Sequence, residues 1–189
     1  MVADVTLPLP VQPRYPARQD YEYERCGTAN LFMRFEPLAG QRHVKVTDQR
    51  THVDLAVMRR EMADVTDADA DQMVLVMDHL NTHTLAVLYQ VYPPEEARRL
   101  YERFEGHHPP THASWLNMAE TELSVLGRQC LDRRIASQDL LRREVAAWEA
   151  RRNRAQVRVD WQFTTADACI KLKRLYPKLA PINGGGLVH

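Results

Sequence analysis

Asp78 is the residue best placed to do chemistry. It directly follows Met73-Val-Leu-Val-Met77, a short and wholly apolar run that reads as a strand buried on both faces. A carboxylate at that point stands at the carboxyl end of a sheet, where open α/β folds place their ligands. The stretch continues as Asp78-His-Leu-Asn81-Thr-His83 and gathers polar groups at the same edge. The plainer reading makes Asp78 a cap for the helix expected to begin near Thr84. A second acid, Glu120, follows after 41 intervening residues. Leu116, Leu123, Leu126 and Cys130 recur there at helical spacing and define a core-facing stripe. Glu120 falls at the margin of that stripe, whereas Glu122 points to a different face. A carboxylate beside a buried stripe is costly unless it is paired or bound to a metal. A solvent-exposed glutamate is the common alternative.

Other constellations are weaker. His79/His83 and His108/His112 have the i,i+4 spacing that puts two imidazoles on one helix face, which raises a zinc-hydrolase reading. Pro109 and Pro110 break any regular helix between the second pair, and no H-E-x-x-H occurs. Cys26, Cys130 and Cys169 are scattered and form no CxxC, which argues against a disulfide framework or a thiolate zinc site. A reducing cytoplasm is the simplest compartment for them. No G-x-S-x-G supports a serine nucleophile. No apolar run approaches the roughly 20 residues of a membrane helix, and Met1-Val-Ala-Asp4 does not open a signal peptide.

The elements that must hold these acids are legible in outline. Pro8, Pro10, Pro13 and Pro16 make residues 5–18 an extended, irregular arm. Tyr21–Arg25, Asn30–Glu36 and His43–Thr47 alternate and are separated by turns at Gly27 and Gly40, which predicts an antiparallel meander. Thr51 and Asp54 give a start signal for a helix to Met62. Pro94, with Glu95 and Glu96 behind it, starts another that runs to about Phe104. A brief strand at Phe104–His107 follows. Further helices are expected over Leu116–Leu131, from an N-cap at Ser137 to Asn153, and from Thr165 to before Pro177. Antiparallel strands followed by β/α units suggest a mixed sheet covered by helices. A length of 189 residues with 44% apolar content fits one domain with an ordinary core. Residues 1–178 are read as that domain, and residues 179–189, with Gly184-Gly-Gly186, as a loose tail.

At this point the sequence resembles a known family. Asp78 through His83 is similar to the Asp-Asn-x-x-x-His stretch after the second catalytic strand of Tc/mariner-like DDE transposases. Ser114-Trp-Leu-Asn-Met-Ala-Glu120 is similar to the segment that supplies their third catalytic acid. Tyr21-Glu-Tyr-Glu-Arg25, Gly27-Thr-Ala-Asn-Leu-Phe32, Cys130-Leu-Asp-Arg-Arg134 and Asp160-Trp-Gln-Phe-Thr164 extend the resemblance from about Val2 to Pro177. It is nearest to the bacterial insertion-sequence members. His79 departs from the family's usual Asn.

The resemblance implies a ribonuclease-H-like fold and metal-dependent cleavage and strand transfer on DNA. Two Mg²⁺ (or Mn²⁺) ions would be held by three carboxylates, typically about 3.5–4 Å apart. Asp78 and Glu120 would be two of those acids, with Asn81 and His83 supporting them. Lys171, Lys173 and Arg174 are candidate phosphate contacts, against the alternative of ordinary surface cations. The family's first acid lies on a strand ahead of the proline-rich arm. The chain is therefore expected to be cut off at that strand, to leave a sheet edge open, and to be defective alone. DNA and a second copy of the chain are the implied partners, with no membrane. The alternative is a non-catalytic remnant that folds and binds DNA or itself. Net charge is zero, but Arg128–Lys178 holds 13 Lys/Arg against 6 Asp/Glu, which sets a basic third beside an acidic remainder.

Overall fold

The structure is a computed structural model that describes residues 1–6, 8–18, 20–77, 85–109, 116–162 and 164–173. It opens with β1 (Val2–Asp4), which pairs antiparallel with β2 (Tyr23–Arg25) in the register Val2↔Arg25. The proline-rich arm between them is irregular as expected, with isolated bridges Leu9↔Arg18 and Gln12↔Tyr15. The alternating segment β3 (Asn30–Glu36) folds back on β4 (Gln41–Thr47) through a turn that holds Gly40 at φ +67°. Asn30 faces Thr47 and Glu36 faces Gln41. The three-stranded meander read from the sequence is thus reduced to a hairpin. Its first strand is drawn to β1 instead, and Arg134 fixes that pair. The Arg134 guanidinium donates to Asp4 and to the Glu22 carbonyl at 2.7 Å and lies over the Tyr23 ring.

α1 (His52–Glu61) begins with a capping box in which Thr51 and Asp54 satisfy each other's backbone N–H groups. It runs on into a π-helical turn at Met62–Thr66. β5 (Met73–Val76) lies parallel to β6 (Phe104–His107), joined by a crossover that contains α2 (Leu88–Val91) and α3 (Pro94–Glu102). Next come α4 (Met118–Leu126), a π-helical turn at Gly127–Leu131, and α5 (Gln138–Arg154), capped by the Ser137 hydroxyl. α6 (Thr165–Leu172) starts at a second capping box, Thr164 with Asp167. Residues Met1–Arg158 form one compact unit and Val159–His189 a second.

The first unit has two cores, and the hairpin separates them by its period-2 alternation. Phe32 joins Leu55, Met58, Leu88, Leu100 and Phe104 on one side. Leu31, Met33, Val44 and Val46 pack with Leu126, Val145 and Trp148 on the other. The strands described form three two-stranded pairs rather than the single mixed sheet expected. The hairpin and the parallel pair meet through side chains of α1, not through a shared ladder: Phe32, Leu55, Met58 and the half-buried Met73 and Leu75 belong to one cluster. The reading of β5 as buried on both faces is also corrected. Met73 and Leu75 pack inward, but Val74 and Val76 are 63% and 54% exposed. With one face packed and the other open among the described residues, this strand alternates like a half-covered strand rather than one buried on both faces.

Candidate metal and nucleic-acid site

Asp78, Asn81 and His83 lie outside the described residues, as do His79, His112 and Arg174. The ground on which Asp78 would stand is described. Met77 continues β5, its N–H donating to the His107 carbonyl at 2.9 Å. His108 Nδ1 lies 3.1 Å from the Met77 carbonyl oxygen, so the end of β6 reaches the end of β5. Arg59 of α1 is 1% exposed and its Nη2 sits 3.0 Å from Met77 Sδ. Burial pulls its pKa down to about 10. A buried guanidinium and an imidazole therefore touch the residue immediately before Asp78. Spacing alone ties His108 only to the zinc reading, and Arg59 belongs to none of the sequence motifs above. A basic residue inside an otherwise apolar helix stripe was the one available signal for the latter.

Glu120 and Glu122 are in view, and their environments differ sharply. Asn117 caps α4 by accepting from the Ala119 N–H at 3.1 Å, which places Glu120 in the first turn. There the helix dipole favours negative charge. Glu120 is half-buried, and its carboxylate makes no ion pair or hydrogen bond among the described residues. Glu122 is 3% exposed and is gripped by two arginines. Arg152 of α5 donates through Nε and Nη2 to its two oxygens at 2.7 and 3.0 Å. Arg42 of β4 brings its Nε to 3.0 Å from Oε1, at an angle short of a hydrogen bond. Arg42 also donates to the Val157 carbonyl at 2.7 Å and lies 4.9 Å from the Phe35 ring centre. Its pKa is lowered, chiefly by burial, with Glu122 acting against that. Glu122 is thus spent on holding the hairpin, α4 and α5 together. Glu120 is left with free oxygen lone pairs, hard donors that suit Mg²⁺ or Mn²⁺.

Among the described residues, no three His, Cys, Asp or Glu side chains come together to hold a metal. His107, at the end of β6, joins no such group: its Nε2 lies 2.7 Å from Glu105. Lys171 and Lys173 are exposed, at the end of α6 and just beyond it in the second unit.

These features define a mixed α/β protein with a parallel strand pair and, at a helix start, a carboxylate without a partner among the described residues. A family model for a DDE superfamily endonuclease matches residues 13–142, and the chain belongs to that family. The match spans both Asp78 and Glu120. No curated protein and no solved structure matches the chain.

Proposed function

We propose that this chain is a transposase catalytic domain of the Tc/mariner-like insertion-sequence group, with a ribonuclease-H-like arrangement. On this reading it carries out divalent-metal-dependent DNA strand cleavage and transfer. The carrying observation is the contrast on α4: Glu122 is locked between arginines, while the half-buried carboxylate of Glu120 has no partner among the described residues. Asp78 and Glu120 would hold the ion, and Asn81 and His83 would orient them. A bound Mg²⁺ or Mn²⁺ supplies charge stabilisation on phosphoryl oxygens and acidifies bound water. The protein's own part would be to present oxygen ligands from α4 and from the end of β5, with Arg59 against the Met77 side chain and His108 against the Met77 carbonyl at that strand end. Lys171, Lys173 and Arg174 would contact phosphates. Self-association is expected from the resemblance, and light scattering would give the mass.

Metal binding is the step these two acids would carry, so the test reads it directly. Mn²⁺ titrated into the purified protein should bind with an affinity that Asp78→Asn and Glu120→Gln each weaken at least tenfold, with melting temperatures of the metal-free proteins unchanged. Binding that survives both substitutions would remove the assignment.

A further inference from the structure

We propose that the outer face of α5 is a docking surface for the phosphate backbone of duplex DNA. This inference rests on the DNA-processing reading above and names a contact surface for it. Arg143, Arg151 and Arg154 project from that face, all exposed, separated by exposed Ala146, Ala147 and Ala150. Helical geometry puts the three within about 80° of one another and spreads them along about 16 Å. Arg128, also exposed, stands across a cleft of about 420 Å³ lined by Arg128, Arg133, Ala147, Trp148 and Arg151, with Asp132 and Glu144 contributing the acids.

What sets these arginines apart is their lack of internal work. Other arginines nearby are occupied: Arg142 with Asp139 at 3.1 Å, Arg152 with Glu122, and Arg133 with Glu144. By contrast, Arg128, Arg143, Arg151 and Arg154 make no ion pair or side-chain hydrogen bond among the described residues. Two acids of α5 border this face, and both are paired with other arginines: Glu144 with Arg133 and Asp139 with Arg142. An array of guanidinium groups without a partner among the described residues calls for an anion with repeated charge. About 16 Å of duplex axis carries roughly ten phosphate charges, and arginine forks match phosphate oxygens. The alanines leave room for the backbone to come close to the helix. Base reading is not provided for: Gln129 is bonded to Trp148 at 3.0 Å and Asn153 to the Arg42 backbone at 2.8 Å. The contact is therefore to backbone, without sequence preference.

The experiment measures binding of a fluorescent duplex of arbitrary sequence by anisotropy across a salt series. It compares the full chain, the triple variant Arg143→Ala/Arg151→Ala/Arg154→Ala, and a charge-matched control, Arg18→Ala/Arg25→Ala/Arg98→Ala. Alanine is a better helix former than arginine, so the triple variant keeps its fold, as circular dichroism would check. The log–log salt slope of the triple variant should be shallower by about 3, near 0.9 per lost phosphate contact, and the control should keep the parent slope. If the parent binds DNA and the triple variant matches it in affinity and slope, this surface is wrong while the DNA reading stands. If the parent binds no duplex at low salt, both fall. Loss of polyglutamate binding with DNA binding intact would overturn the proposal in favour of an acidic protein partner.

Discussion

Two glutamates two positions apart on α4 have opposite fates because their surroundings charge them differently. Glu122 is buried against Arg42 and Arg152, so its removal strands two desolvated cations. Breaking a buried pair in this way costs about 3–5 kcal/mol, and for a chain of this size that is a fall in melting midpoint of roughly 10 °C. Glu122→Gln should show that fall in thermal unfolding, whereas Glu120→Gln should stay within about 0.5 kcal/mol of the parent, since it has no partner among the described residues to lose. His43 gives a second test. Its hydrogen bond with Glu149 at 3.2 Å raises its pKa, against a smaller opposing effect of burial. A raised folded-state value means that the stabilisation is full below the ordinary histidine value of about 6.5. It is lost as pH rises through the folded value. Unfolding midpoints in urea should decline over that window, and His43→Gln should flatten the decline. The core-stripe spacing made the marginal place of Glu120 legible in the sequence. The burial of Glu122 was not, because the arginines that hold it lie on elements far away in the chain.

Elements whose ends are set by neighbours in sequence could be read in advance. Thr51 with Asp54 and Ser137 each start a helix where expected because a cap is satisfied within three residues, and Pro94 does so without a side-chain cap, its fixed φ and the two glutamates behind it suiting the first turn. Strand partners were harder. Nothing in Tyr21–Arg25 says that β1 rather than β3 will accept its hydrogen bonds; Arg134, remote in sequence, decides it. The apolar run at β5 misled for a related reason. Composition gave its preference for strand, but the cover on its second face depends on other elements. The β3–β4 turn offers a test of one such long-range constraint. Gly40 has φ +67°, and a methyl group placed on it would stand 2.7 Å from the Gln156 carbonyl carbon, just past α5. Gly40→Ala combines left-handed backbone strain with a backbone clash and should cost upward of about 1 kcal/mol. A melting curve that overlays the parent would show that the hairpin does not press on the end of α5.

Across the first unit, charge does two separate jobs, and salt can tell them apart. On the surface, Arg99 of α3 reaches Asp64 at 2.8 Å and Glu96 at 2.8 Å, and Arg60 of α1 joins them. These hydrogen bonds hold the Asp64 and Glu96 carboxyls below their usual range. In the interior, Arg42, Glu122 and the mostly buried Arg152 lock hairpin to helices with little access for solvent. Raising ionic strength from about 0.1 to 1 M shortens the screening length from about 10 to 3 Å, which weakens exposed pairs and leaves buried ones nearly untouched. Asp64→Asn should therefore lower stability by no more than about 1 kcal/mol at low salt and by nothing measurable at 1 M. The deficit of Glu122→Gln should be the same in both buffers. Both proteins would be followed by urea unfolding at the two ionic strengths. If the Glu122→Gln deficit shrank with salt as well, water and ions would be reaching the triad. The carboxylate left free on α4 would then no longer be set apart by the burial of its neighbour.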